Sequence, residues 1–433
     1  MKKVLSVILA LVMLMSLATV FASAEEKEML VWVEKIFSDE ANNLIEQRIK
    51  QFGEENGINI TVELIGATDI TTKFNAAIEA GKGIPDVISG GTTKTLNYYP
   101  NIPFVDLTDL VNEINAERPY FPSALEGSQI GGAHYYVPTY SSSCLMFVRT
   151  DKLAEAGITE VPTTWEGVVE AAKAVTDPAN DFYGLGMGCG ENDDDDENMW
   201  REWMWNVADA YLFDAEGNIT AGDGKIAEML DYYGELYKEG VLPPDSTTWN
   251  AGGNNGSYLA GRTCFVFNAP TLYNALRGSE DYAELLANTA IMAPPVGDKN
   301  GVYMNFLVGF SITNTCKDVD AAKALLRYIV DKEWYDQFTA TIAPVHAPLF
   351  EDELSNPVWT DDPVNSQVLA YAQNASGYYG YPVGTLEGRA LASKHYFNFP
   401  YVTMVNKVFT GAATGAEAVQ DTVRLLEDIQ DTF

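Results

Sequence analysis

Residues 134–153 read HYYVPTYSSSCLMFVRTDKL. Two runs of β-favouring residues, Tyr135–Val137 and Leu145–Val148, flank the small polar patch Tyr140-Ser141-Ser142-Ser143. A hairpin joining the runs would need residues that accept positive φ, and the patch has no Gly, Asn or Asp. The chain therefore runs straight through. A strand buried on both faces is continuously apolar, so the narrow, polar middle of this segment asks for another explanation.

On either side of it, strand and helix patterns alternate. Upstream, MLVWVEK (29–35) reads as a strand, and Ala41, Leu44, Ile45, Ile49 and Phe52 mark one face of a helix that starts at Asp39 and stops at Gly53 and Gly57. INITVELI (58–65) alternates as a strand, a helix follows over Thr72–Ala80, and IPDVISGG (84–91) is a strand running into a Gly-Gly-Thr-Thr loop. Downstream come a strand at Leu145–Val148, a helix in TTWEGVVEAAKAV capped by Thr163 or Thr164, and strands in FYGLGMG (182–188), RTCFVFNAP (262–270) and NFLVGFSIT (305–313). Helices are expected over Ile226–Lys238, as one long element over 318–340, and in GAEAVQDTVRLLEDIQ near the end. Such alternation predicts an α/β fold with parallel sheet and right-handed crossovers, in which loops at the strand C-termini form the ligand crevice. Here those loops carry Glu34-Lys35, Gly66-Ala67-Thr68 and Ser89-Gly90-Gly91-Thr92-Thr93.

The first 24 residues combine Lys2-Lys3, an uncharged apolar run and Ala22-Ser23-Ala24, the pattern of a secretory signal peptide cleaved before Glu25. The acidic EEKE that follows is not a stop-transfer flank, and no Cys precedes Cys144, so a lipid-anchor cysteine is absent from the expected cleavage point. The expectation is an exported protein, periplasmic or extracellular. The chain holds 27 basic and 61 acidic residues; without Lys2 and Lys3 the basic count is 25 and the balance −36. Such a field repels nucleic acid and anionic lipid. Hydrophobic content of 47% excludes general disorder, and the length suits two or three domains. Cys144, Cys189, Cys264 and Cys316 are too widely spaced for a disulfide scaffold or a zinc ribbon; they read as mostly buried small residues with room for one bridge.

Taken in order, LVWVE, IPDVI, the stretch 132–175, YLAGRTCFVFNAP, NFLVGFSIT and AEAVQDTV make the chain resemble the extracellular solute-binding proteins of ABC importers, the group typified by maltose-binding protein. The resemblance implies a type II periplasmic-binding fold: two α/β lobes joined by three crossover hinges with the ligand cleft between them. It places residues 25–141 plus 309–342 in the first lobe and 145–305 plus 346–433 in the second, with crossings at 142–144, 306–308 and 343–345. A crossing must be extended, able to bend, and wet in the middle. Small hydroxyl side chains meet all three needs, which accounts for the polar patch.

A sugar-binding cleft needs flat aromatic faces and fixed polar groups. The resemblance points to Trp32, Glu34 and Lys35 after the first strand, Thr92 and Thr93 after IPDVI, and Tyr140 and Ser142 in the first crossing. In the second lobe and at the second crossing it points to Trp200, Trp203, Trp249, Tyr273, Asn305, Phe306 and Tyr401, each of which also suits a packing role. Thr92-Thr93-Lys94 departs from the aromatic and charged loop of the maltose binder, and Ser142 stands about where that protein carries a carboxylate. The acidic run Asp193–Glu197 lacks calcium-loop spacing and reads as a solvated loop. His134, His346 and His395 form no metal motif, and there is no G-x-S-x-G elbow. The expected protein is thus no enzyme and uses no cofactor or metal. It is a monomer that captures a carbohydrate and hands it to membrane permease subunits. The alternative cargo is a polyamine, ferric ion or phosphorylated compound; adjacent tyrosines such as Tyr378-Tyr379 keep iron open. A secreted glycosidase is the remaining alternative.

Overall fold

The computed structural model describes residues 27–190 and 194–433. The expected signal peptide and Asp193 lie outside the described residues. Among the described residues, ten strands form two sheets. The first contains β1 (Lys27–Glu34), β2 (Ile58–Ile65), β3 (Val87–Gly90), β4 (Val137–Ser142), β9 (Phe306–Ile312) and β10 (His346–Ala347), in the order β10-β4-β9-β3-β1-β2. The second contains β5 (Leu145–Arg149), β6 (Tyr183–Gly186), β7 (Thr263–Asn268) and β8 (Thr289–Met292), in the order β6-β7-β5-β8.

The local signals explain the elements that frame the first sheet. Ser38 accepts a hydrogen bond from the Ala41 N–H at the start of the helix Asp39–Asn56, and Gly57 ends it in the left-handed region at φ 65°. That helix lays Ile45, Ile49 and Phe52 on the sheet, where they join Met29, Val31 and Val33 in the main core. β1 pairs in parallel with both β2 and β3. The rest of the sheet is antiparallel, contrary to a purely parallel expectation, because β9 enters from the other lobe and must run back along β3 and β4. Gly309 of β9 is needed there: an added Cβ would lie 2.0 Å from the Val137 carbonyl oxygen. The second sheet is likewise mixed, with β6 parallel to β7 and β5 antiparallel to β7 and β8.

The chain changes sheet between Ser142 and Leu145, inside the polar patch. It returns between Met292 and Phe306, upstream of the expected 306–308, since Phe306 already pairs with Ser142 in the first sheet. At the expected third crossing the chain does not leave the first lobe. His346 and Ala347 add β10 beside Ser142 and Ser141, and the chain then bonds through Leu349 and Glu351 to the first-lobe backbone at Phe121 and Pro119. The last passage comes after the helix Pro363–Asn374, beyond which Val383 and Leu391 belong to the second-lobe core. Two helix boundaries also differ. The helix expected from Thr72 begins at Ala67, and the one expected over 318–340 is split into Val319–Ile329 and Lys332–Ile342 by Asp331, whose ψ of 132° is extended.

The lobes touch. The second-lobe helix Leu386–Tyr396 packs on the short first-lobe helix Thr92–Leu96, with Leu96, Ile130 and Ala390 buried together at the contact. No helix among the described residues is long and apolar enough to cross a membrane. All four cysteines are unbridged and three are buried.

Candidate ligand cleft

A cavity of about 550 Å³ opens where the lobes and two of the crossings meet. Its first-lobe wall begins after β3. Gly90 and Gly91 lie so close to β9 that a Cβ on either would come within 2.6 Å of Ser311 Oγ or the Leu307 carbonyl. This tight turn delivers Thr92 and Thr93 to the cavity. The Thr92 hydroxyl donates to the Gly127 carbonyl at 2.9 Å and lies 2.8 Å from the Tyr136 hydroxyl, which is then the donor to Thr92. Burial raises the Tyr136 phenol well above its ordinary value, so it stays protonated and able to donate.

Asn305 joins three segments at the cavity floor. Its backbone N–H donates to the Gly377 carbonyl at 2.9 Å, its Nδ2 donates to the Ser123 carbonyl at 2.7 Å, and its Oδ1 is buried with no partner. The passage into the second lobe supplies Ser376, Tyr378 and Tyr379, and the helix Leu386–Tyr396 supplies Arg389 and Ser393. Arg389 Nη1 donates to the Gln129 carbonyl of the opposite lobe at 3.1 Å, and its guanidinium sits 4.6 Å from the Tyr378 ring centroid. Its Nε, like Ser393 Oγ, is buried without a partner. A buried polar atom left unpaired costs roughly 1–3 kcal/mol, so these atoms mark a polar wall whose hydrogen bonding is incomplete among the described residues. Gly127 keeps the floor narrow, as its Cβ would meet Asn305 Nδ2 at 2.7 Å.

A sequence profile of bacterial extracellular solute-binding proteins matches residues 47–366. The chain belongs to that family. A binding protein of Brucella abortus is 22% identical over 337 residues, covering 75% of this chain and 77% of the relative. Among solved structures, a sugar transporter protein of Arthrobacter chlorophenolicus with bound laminaribiose superposes with a TM-score of 0.75 at 16% identity, over 93% of this chain and 99% of that one. An ABC transporter solute-binding protein of Agrobacterium radiobacter in complex with ribitol gives 0.73 at 20% identity, over 94% and 99%. These likenesses establish the fold of the solute-binding protein: two lobes of the maltose-binding type.

Of the residues expected at the ligand site, Thr92, Thr93 and Asn305 line this cavity. Glu34 pairs with Lys94 beside it, while Lys35 is exposed on the loop after β1. Tyr140 is buried, with its ring 4.8 Å from that of His346, and its phenol is raised by burial and by the nearby Glu34 carboxylate. Ser142 Oγ lies 3.0 Å from His346 Nδ1, and burial lowers that imidazole to about 4. Phe306 packs edge-on to Tyr379 at the margin of the cavity.

The remaining expectations go elsewhere. Trp32 packs in a first-lobe cluster with Ile65, Phe74 and Ile88, its ring capped by Lys73. Trp200 and Trp203 form a stacked series with Trp165 inside the second lobe, and Tyr233 packs against both at a tilt. One edge of that series, Trp165 and Trp203, lines a separate cavity of about 640 Å³ on the flank of the second lobe. Trp249 is buried and donates to Asp245, and Tyr273 donates to Asp362 at 3.4 Å. Tyr401 is buried beside Arg201. Rather than a solvated loop, Asp194–Glu197 open the helix Asp194–Ala208, with Asp196 and Glu197 buried and accepting the Gly188 and Val402 N–H groups. Sequence reasoning missed Ser123, Arg389 and Ser393. They carry no motif, and only the meeting of distant segments gives them a role. Among the described residues no group of three or more His, Cys, Asp or Glu is placed to hold a metal ion.

Proposed function

We propose that this protein is the capture component of an ABC importer, that its cargo is a carbohydrate held in the interlobe cavity, and that the loaded closed form is what docks on the permease. The observation that carries the reading is the convergence of Asn305, Ser393 and Arg389, from a crossing and the second lobe, on a cavity whose other wall is Thr92 and Thr93. A volume of about 550 Å³ lies within the range of small-molecule sites, and its mixture of hydroxyl, amide and tyrosyl groups suits sugar hydroxyls and ring faces. The sugar and polyol carried by the two solved relatives support the same class.

Only a guest that contacts both lobes can shift the equilibrium toward closure. A receptor of this kind binds its ligand unchanged, which separates it from a glycosidase; the cavity is lined by a single carboxylate, Glu126, where a glycosidase uses a pair. The test is thermal unfolding of the refolded chain against mono- and oligosaccharides, polyols, polyamines and ferric citrate. Ligand at a hundred times its dissociation constant adds about 2.7 kcal/mol. A rise in midpoint with one saccharide class, with no consumption of the sugar and with monomeric behaviour on sizing, is the expected result. A rise only with a polyamine or iron would contradict the carbohydrate assignment.

A further inference from the structure

The cavity contains an arginine that has no counter-charge among the described residues. The chain has 61 acidic and 27 basic residues, so a carboxylate is rarely far from a cation. The other arginines withdrawn from solvent each face one. Arg48 pairs with Asp331, Arg118 with Asp352 and Glu353, Arg149 with Asp151, Arg262 with Asp181 and Asp245, and Arg327 with Glu113 and Glu117. Arg201, fully enclosed, has its burial opposed by the Tyr379 phenol and by the Glu197 carboxylate. Arg389 forms no ion pair among the described residues. Among the described residues its hydrogen bond to protein is Nη1 to the Gln129 carbonyl, and its buried Nε is left without an acceptor. Glu126, the carboxylate that lines the same cavity, is exposed and makes no ion pair with it.

A guanidinium taken out of water needs a counter-ion or a full set of acceptors, because its desolvation is not otherwise offset. Burial lowers the Arg389 pKa, and among the described residues it is the phenols of Tyr378 and Tyr136 that oppose this. Arginine stays charged even so, and its planar fork matches a carboxylate through two parallel N–H donors. The long-range repulsion of an acidic chain does not prevent this, since it is screened beyond about 8 Å at physiological ionic strength, whereas contact inside a cleft is screened far less.

We propose that the cleft ligand is an acidic carbohydrate whose carboxylate, as on a uronic acid unit, is received by Arg389. The proposal rests on the carbohydrate reading of the cavity and adds the charge of the guest. Because Arg389 also bonds to Gln129 across the cleft, the carboxylate would strengthen the same contact that closes the lobes.

The test uses matched pairs of ligands on the refolded full chain: glucuronate against glucose, galacturonate against galactose, mannuronate against mannose, and the corresponding disaccharides, with sugar phosphates as a further arm. Dissociation constants are read by titration calorimetry for wild type, Arg389→Gln and Arg389→Lys, with circular dichroism to check folding. The expected result is one uronate bound at least about tenfold more tightly than its neutral partner by wild type, a difference of about 1.4 kcal/mol. That ratio should fall to near one in Arg389→Gln and only part of the way in Arg389→Lys, which keeps the charge without the fork. A neutral sugar bound as tightly as its uronate, with the ratio unmoved by either variant, would overturn the inference while leaving the carbohydrate reading intact. Preference for a sugar phosphate over the uronate would overturn the carboxylate assignment. Binding of no sugar, neutral or acidic, would overturn both readings together.

Discussion

Glu202 offers a quantitative test of how the second crossing is held. The residue lies in the helix Asp194–Ala208 and is 1% exposed. Its Oε1 accepts the backbone N–H of Met304 at 2.9 Å, next to Asn305 in the cavity floor, and its Oε2 has no partner. Burial raises its carboxyl from 4.5 to about 8, with the Met304 bond and the Arg201 charge opposing the shift. The phenols of Tyr303 and Tyr371 and the thiol of Cys144 all feel this carboxylate, so it sits among the segments that join the lobes. Because the folded value lies above the unfolded one, the native state keeps a proton that the unfolded chain has lost. The stability is therefore fully present below about pH 4.5, and it is lost as pH rises through the window up to about 8. One proton corresponds to about 1.4 kcal/mol per pH unit, so the window is worth on the order of 5 kcal/mol. Glu202→Gln retains the acceptor for Met304 and cannot ionise. Urea unfolding followed by tryptophan fluorescence at about pH 5, 7 and 8.5 should show the variant gaining on wild type by several kcal/mol across the series. Taking the difference between the two proteins cancels the contribution of Glu353, also raised by burial, to about 7. A difference that stays constant with pH would refute the assignment of a buried, proton-holding carboxylate to this contact.

Other changes separate packing from binding. Trp203→Ala removes a ring stacked 4.3 Å from Trp165 and should cost about 3–5 kcal/mol of stability by urea unfolding. It should leave ligand affinity within a factor of about two or three, because the stack lies outside the cleft. Gly309→Ala forces a Cβ to within 2.0 Å of the Val137 carbonyl and should abolish the accumulation of folded protein. Asn305→Ala deletes the bond to Ser123 and the unpaired Oδ1 and should weaken saccharide binding about tenfold by calorimetry, with the fold retained by circular dichroism.

What could be read from the sequence follows from whether the deciding interaction is local. The two strands around the Tyr140–Ser143 patch declare themselves by composition, and the absence of turn residues between them shows that the chain continues; the change of sheet occurs there. The helix caps at Ser38, Thr164 and Thr414 are equally local, each side chain bonding to an N–H three residues on. The third crossing was misplaced because β10 is two residues long and is defined only by its partners Ser141 and Ser142, some two hundred positions away. Trp200 and Trp203 illustrate a different limit. A stacking platform for a sugar and a stacked pair in a core have the same local sequence, and only the arrival of Trp165 and Tyr233 decides between them. Arg389 was invisible because its significance is a missing neighbour, and Glu387 two residues before it points to an ordinary exposed helix.

The most direct test is a crystal structure of the chain with the saccharide that raises its unfolding midpoint. The account requires that sugar to lie between the Thr92–Thr93 turn and Arg389, with one hydroxyl or ring oxygen bonded at Asn305 and polar contacts to both lobes. A sugar bound instead on the Trp165–Trp203 flank of the second lobe, or touching one lobe only, would contradict it.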